Sequence, residues 1–365
     1  MYVIGLMSGT SLDGLDVAYV ECGMADGCSE GSPQDGAERG IRYRVLAAET
    51  YPYPQEWVDV LSSLEASSAY EYALAHVRLG HYFGQKVNEF RNAHPGRVDL
   101  VSSHGHTIFH QPHLALTTQI GDGDAIAAET RLPVVSNFRT FDVALGGQGA
   151  PLVPIGDRYF FSQYQACVNL GGIANISFED AHKGRIAYDI CPCNMALNHL
   201  SRRAGMLYDK DGNLARSGRI IGTMLDKMEA LDFYMTPAPK SLGKEWFVAN
   251  FLPLMDSDMP VEDVLRTVVE HEALRIADVL NANGIKSLLV TGGGAYNKFL
   301  IERVRAFAPQ CGVVVPEATV VEYKEAIIFA LLGYLRITHE TNTLCSVTGA
   351  ECDSIGGTVS GLLAF

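Results

Sequence analysis

No apolar run in this chain approaches the roughly 18 residues that a bilayer-spanning helix needs, so no membrane span is expected. The N-terminus, MYVIGLMSGTSLDG, lacks a basic segment followed by an apolar one, which argues against a secretion signal. Basic residues are in deficit, with 28 Lys and Arg against 42 Asp and Glu, a net charge of −14 and a pI of about 5.2. That balance argues against a broad nucleic-acid or acidic-membrane surface. A phosphorylated ligand stays open, because backbone N–H groups and Mg²⁺ neutralise phosphate without a basic surface. The eight cysteines have no framework spacing and read as buried thiols of a reducing cytoplasm, not as disulfides. Two nucleotide signatures are also missing: the P-loop GxxxxGK(S/T), and GxGxxG at a strand–helix junction.

What is present is an ordinary globular balance, 47% hydrophobic and 19% charged over 365 residues, long enough for two domains. Glycine is in excess, at 36 residues, and clusters at the ends of apolar segments, where a backbone can approach a ligand closely. Residues 2–7 and 15–21 read as a hairpin whose turn holds Gly9, Thr10, Ser11, Asp13 and Gly14. A Gly/Ser-rich excursion follows from Cys22 to Gly40, then a strand over 43–50 and a helix over 68–94 that ends at Pro95. A buried strand over 98–103 leads to a His-rich loop, HGHTIFHQP. The second half repeats this order: strand 166–170, a turn holding Gly171, Gly172 and Asn175, strands 176–179 and 185–190, and a helix over 195–205. A long helix over 261–283 and a strand over 287–290 precede Gly292, Gly293 and Gly294, and a helix over 323–338 comes near the end.

Each glycine turn alone is explained by hairpin chemistry, which favours Gly, Asn and Asp. Three such turns around a repeated unit are better explained as loops that hold a nucleotide. Phosphoryl transfer asks little else of a protein than to hold the nucleotide, shield phosphate charge and align a nucleophile.

The segments GLMSGTSLDGLDVA, GGQGAPLVP, NLGGIANIS, PKSLGKEWF, TGGGAYN and EAIIFALLGYLR occur in the order seen in anhydro-N-acetylmuramic acid kinases, and the chain resembles that family over nearly its whole length. The resemblance implies an α/β, two-lobed actin-like ATPase fold of ribonuclease H-like, β-hairpin-first units. It places lobe I at 1–133, completed by 323–365, and lobe II at 134–322. It further implies a cytoplasmic homodimer that uses ATP and Mg²⁺ to open 1,6-anhydro-N-acetylmuramic acid and phosphorylate O6, a step of cell-wall amino-sugar recycling.

Opening the anhydro bridge needs a water activated by a carboxylate. The family segment resembling FDTGPGN is YDICPCN here, so Asp189 is the implied base; capping of the following helix is its plainer reading. The resemblance places Arg139, Asp142, Asn194 and Glu325 near the sugar. Arg139 is read as a fork for the lactyl carboxylate, with a structural Arg–Asp pair as the alternative. Asp13 and Asp16 are candidates for Mg²⁺, which keeps several waters and takes one or two carboxylates. Lys240 and Ser241 match a family segment without a derivable role. The chain departs from the family's usual DFR, HGQT, FDTGPGN and PKSTG at Asn137, His106, Ile190, Cys191, Cys193 and Leu242, and carries Asn198 where a later Asp is usual. Most of these changes fall in segments assigned to the sugar, so another anhydro sugar such as levoglucosan is the alternative substrate. With cysteine in place of glycine at 191 and 193, the backbone there is expected to avoid positive φ. Two other classes compete: a nucleotide-binding protein without turnover, and a zinc hydrolase using His104, His106, His110, His113, Cys191 and Cys193.

Overall fold

Two β-sheets organise the chain, one in each of two units. The computed structural model describes residues 1–24, 40–255 and 258–361. Most of the excursion read between Cys22 and Gly40 lies outside the described residues.

The first unit comprises Met1–Phe160 and Tyr323–Phe365. Its strands β1 (Tyr2–Ser8), β2 (Gly14–Met24) and β3 (Ile41–Pro52) form an antiparallel meander. Strand β4 (Leu100–Gln111) pairs in parallel with β1, β5 (Leu116–Ile120) folds back on β4, and β6 (Val134–Ser136) adds in parallel beside β4. The second unit, Phe161–Glu322, holds β7 (Ala166–Leu170), β8 (Ile173–Asp180), β9 (Gly184–Pro192), β10 (Ser287–Thr291) and β11 (Gly312–Val314) in the order β11-β10-β7-β8-β9. A last strand, β12 (Thr358–Ser360), pairs antiparallel with β6. Each sheet thus sets a three-strand meander beside two parallel strands, in the order β3-β2-β1-β4-β6 in the first and β9-β8-β7-β10-β11 in the second. This is the duplicated β-hairpin-first, ribonuclease H-like unit of the actin-like ATPase fold.

The helix Ala69–Ala93 starts where Ser68 and Glu71 form a capping box, and it stops before Pro95. Its Leu79, Phe83, Val87 and Phe90 recur at helical spacing and are fully buried against Ile4, Leu6, Leu15 and Val17 of the sheet. Each such side chain contributes about 1.5–3 kcal/mol of burial. On the opposite face, Gly5 of β1 admits the backbone of the Ala318–Ile337 helix so closely that a Cβ would run into the Ala326 carbonyl. In the second unit the helix Val261–Ala282 buries Val264, Leu265, Val268, Val269 and Ile276 in a core shared with Val168, Leu170 and Ile176.

Four expectations are corrected. The first unit extends to Phe160, not to 133, because Val134–Ser136 hydrogen-bonds into the first sheet. HGHTIFHQP is not a loop: β4 continues to Gln111, where β5 satisfies its backbone polar groups. The late helix begins at Ala318, five residues early, because apolar Val320 and Val321 extend its buried face. Five described cysteines are buried, but Cys345 is half-buried and Cys352 exposed; none of the described cysteines is in a disulfide. Among the described residues no helix is long and apolar enough to cross a membrane.

Candidate active site

In the second unit, strand register builds a polar row that crosses the sheet. Thr291 of β10 stands beside Asn169 of β7, Asn169 opposite Asn175 of β8, and Asn175 opposite Asp189 of β9. Residues directly opposite on paired strands share a face, so these four side chains line one side of the sheet. Asn169, Asn175 and Asp189 are each half-buried. Just beyond Asp189 the register shifts: Cys191 pairs with Ala174, and Ile190 is the extra residue of a β-bulge. Cys193 has φ −134°, and Cys191 is not among the residues of positive φ, as their side chains require.

The segment 240–242 lies along this strand. Asp189 N–H donates to the Lys240 carbonyl at 3.0 Å, and Leu242 N–H donates to Asp189 Oδ2 at 2.8 Å. Among the described residues Oδ1 has no protein partner. Burial pushes the Asp189 carboxyl above its ordinary range, while the Leu242 hydrogen bond pulls the other way. A half-buried carboxylate with one anchored and one open oxygen can take a proton from water.

The glycine turns of the second unit pack around the start of the helix Asn194–Arg203. Cys193 and Met195 N–H groups donate to the Gly172 carbonyl, Asn194 N–H to that of Gly171, and Asn194 Nδ2 to Leu170 at 2.9 Å. Asn194, expected at the sugar, therefore spends its amide nitrogen in tying a turn to its helix. Gly292 has φ +80° and Gly294 is buried against Leu170, 2.6 Å from where its Cβ would lie, so both are demanded by the fold. Gly172 and Gly293 differ: a Cβ there would come no nearer than 3.8 Å and 3.7 Å to any neighbour, and neither has positive φ. A Cβ on Gly171 would meet only Asn169 Nδ2, at 3.2 Å, and the Ile173 carbonyl, at 3.6 Å. Nothing within the described second unit requires glycine at 172 and 293.

In the first unit the β1–β2 turn repeats this division. Gly14 is buried against the Tyr51 carbonyl, which a Cβ would strike, so it is structural. Gly9 is open, with Ser11 Oγ 3.6 Å from a built Cβ, and Thr10, Ser11 and Asp13 are exposed around it. Asp16 is half-buried and accepts from Thr50 Oγ1 at 2.6 Å. Two carboxylates and two hydroxyls at one turn form a hard-oxygen set of the kind that suits hydrated Mg²⁺.

Arg139 is tied into the first unit by hydrogen bonds on all three of its guanidinium nitrogens. Its Nε and Nη2 donate to His104 Nε2 at 3.0 and 2.9 Å, and Nη1 donates to the Gly149 carbonyl at 2.6 Å. Burial draws the guanidinium down to about 10, so it stays cationic at neutral pH; Glu325 and Asp142 oppose that shift. His104 donates through Nδ1 to the Gly105 carbonyl, and burial followed by Arg139 holds the imidazole neutral. Asp142 is also structural: Oδ2 accepts from Gly149 N–H and Oδ1 from the Thr348 hydroxyl, each at 2.7 Å. Neither forms the Arg–Asp pair considered above, because each has partners of its own. Glu325 is exposed on the Ala318–Ile337 helix, and Arg139, Lys324 and Asp16 are the charges that act on it.

The other histidines of the cluster, His106, His110 and His113, are placed separately. His106 Nδ1 shares a hydrogen bond with Ser8 Oγ at 2.8 Å, and burial lowers its imidazole to about 4. His110 Nδ1 meets Thr117 Oγ1, and His113 sits in the turn before β5. Among the described residues no three His, Cys, Asp or Glu side chains are grouped to hold a metal, so the zinc reading has no ligand set. Sequence reading missed Asn169 and the Leu242 N–H. A polar residue inside the apolar run ACVNL was the available signal for the first; none marks the second.

The family model for anhydro-N-acetylmuramic acid kinase matches residues 1–361. Relatives described as anhydro-N-acetylmuramic acid kinases agree along almost the full length. That of Aliivibrio fischeri is 34% identical, over 95% of this chain and 96% of the relative. That of Vibrio parahaemolyticus is 36% identical over 95% of each, and that of a Picosynechococcus species 34% identical over 98% and 99%. The order of its motifs, its duplicated topology and this full-length similarity agree: the chain belongs to the anhydro-N-acetylmuramic acid kinase family of sugar phosphotransferases.

Proposed function

We propose that the chain uses ATP and water to open 1,6-anhydro-N-acetylmuramic acid and phosphorylate O6, giving N-acetylmuramic acid 6-phosphate and ADP. The observation that carries this reading is Asp189: half-buried beside a bulge, one oxygen held by Leu242 N–H and the other without a protein partner among the described residues. In the reaction a water attacks C1 and gives its proton to Asp189. The C1–O6 bond breaks as O6 attacks the γ-phosphorus, and the bond from that phosphorus to the β-phosphate oxygen breaks to release ADP. Phosphate binding is assigned to backbone N–H groups of the open glycines, Gly9 in the first unit and Gly172 and Gly293 in the second, with Gly171 and Asn175 in the same turn region as Gly172. Asp13 and Asp16 suit Mg²⁺, which when bound neutralises phosphate charge. Glu325 is the first unit's candidate for the sugar hydroxyls. The reducing cytoplasm, which cysteines outside disulfides fit, is the proposed location.

Incubation with MgATP and 1,6-anhydro-N-acetylmuramic acid in ¹⁸O-water, read by mass spectrometry, tests the scheme. A 6-phosphate product carrying one ¹⁸O at C1 supports water attack at that carbon. A phosphorylated product without the label rules out the base assigned here.

A further inference from the structure

The 236–243 stretch, between the short helices Asp232–Met235 and Lys244–Trp246, has no regular secondary structure, yet it supplies the donor to Asp189. An irregular segment has no ladder of its own to hold it, so tertiary ties set its position. Besides the Leu242 bond, the 3.0 Å bond from Asp189 N–H to the Lys240 carbonyl ties it to β9. The Lys240 side chain adds a further tie, folding back onto the helix that precedes the segment. Its Nζ donates to the Phe233 carbonyl at 2.9 Å and lies 4.4 Å from the centre of the Phe233 ring. Phe233 is buried, so it is a fixed anchor. A charge-assisted hydrogen bond and a cation–π contact on one buried residue together restrain the ammonium strongly.

We infer that Lys240 is a positioning residue: by clamping the 236–243 segment to Phe233, it aims the Leu242 N–H at Asp189 Oδ2 and so orients the carboxylate toward water. This rests on Asp189 being the base. It assigns a role to the PKSLG segment, and it accounts for tolerance of Leu242, since the contact uses a backbone N–H that most side chains leave in place.

Lys240→Met keeps the aliphatic stem and removes the cation. Its kcat is expected to fall roughly tenfold or more, as small misplacements of reacting groups do, with KM for ATP within about twofold of wild type. The acidic limb of its kcat profile moves to higher pH, because a carboxylate that loses a donor to its charged form binds its proton more tightly. Lys240→Arg, which keeps a cation able to donate and to stack on Phe233, recovers most of the loss. A Met variant with wild-type kcat and an unmoved acidic limb overturns the inference. So does a loss of activity that tracks only the loss of folded protein. If the Met variant does not fold, replacing the Leu242 backbone N–H by an ester oxygen removes the donor alone; an unmoved limb there is equally decisive. Asp189→Asn separates the two claims. Full turnover in that variant removes the base and this inference together, whereas an inactive Asp189→Asn beside a normal Lys240→Met removes this inference only.

Discussion

Asp189→Asn replaces the proposed base by a neutral side chain of nearly the same shape, and the surrounding hydrogen bonds dictate how the amide settles. Leu242 N–H, 2.8 Å from Oδ2, needs an acceptor, so the asparagine carbonyl oxygen takes that place and its NH₂ turns to where Oδ1 stood. A donor then faces the attacking water where an acceptor is required. Loss of a positioned general base costs about 100- to 10,000-fold in rate, or about 3–5 kcal/mol in activation free energy. The fold is not expected to suffer. Burial raises the Asp189 carboxyl in the folded state, so its contribution to stability falls as pH rises from the unfolded value through the folded one. The neutral amide escapes that loss, and the variant should melt no lower than wild type at neutral pH. ADP release in a coupled assay with the anhydro sugar measures the rate, and calorimetric titration measures ATP affinity, expected within a few-fold of wild type. Turnover within threefold of wild type would refute the assignment of Asp189. In the wild type the same shift predicts a kcat that falls on the acid side at a higher pH than an ordinary aspartate would give.

The glycine turns divide into two classes that substitution should separate. Gly292→Ala forces a Cβ into a backbone at φ +80°, against Asn169 Oδ1, and should cost about 1–3 kcal/mol of stability by thermal melt. Gly172→Ala should melt normally while raising KM for ATP, and the idea fails if the two variants behave alike. Glu272 is fully buried in the second core, beside the Cys193 thiol, with Oε1 unpartnered among the described residues. Burial pushes its carboxyl well above the usual range, against the pull of Cys193, so the folded state loses stability as pH rises above the unfolded value. Glu272→Gln does not ionise, and its urea midpoint should gain on wild type between pH 5 and pH 8, by at most about 1.4 kcal/mol per pH unit. A gap that stays constant over that range refutes the ionisation argument.

Local signals in the sequence already determined much of this protein. The Ser68–Glu71 capping box and apolar spacing mark the helix to Ala93, and glycine turns after apolar runs mark the two hairpins. Motif order identified the family, and one of its segments is the ground for proposing Asp189 as the base. What depends on pairing between distant segments was not legible. That HGHTIFHQ is a strand depends on β5 satisfying its backbone, and that the first unit runs to Phe160 depends on Val134–Ser136 entering a sheet begun at residue 2. Arg139 and Asp142 look like ligand-binding residues by type, and only the structure shows that His104, Gly149 and Thr348 take part of their hydrogen-bonding capacity. The Leu242 N–H is the clearest case. A backbone donor carries no residue signature, so only the folded chain, bringing residue 242 to residue 189, made it part of the site.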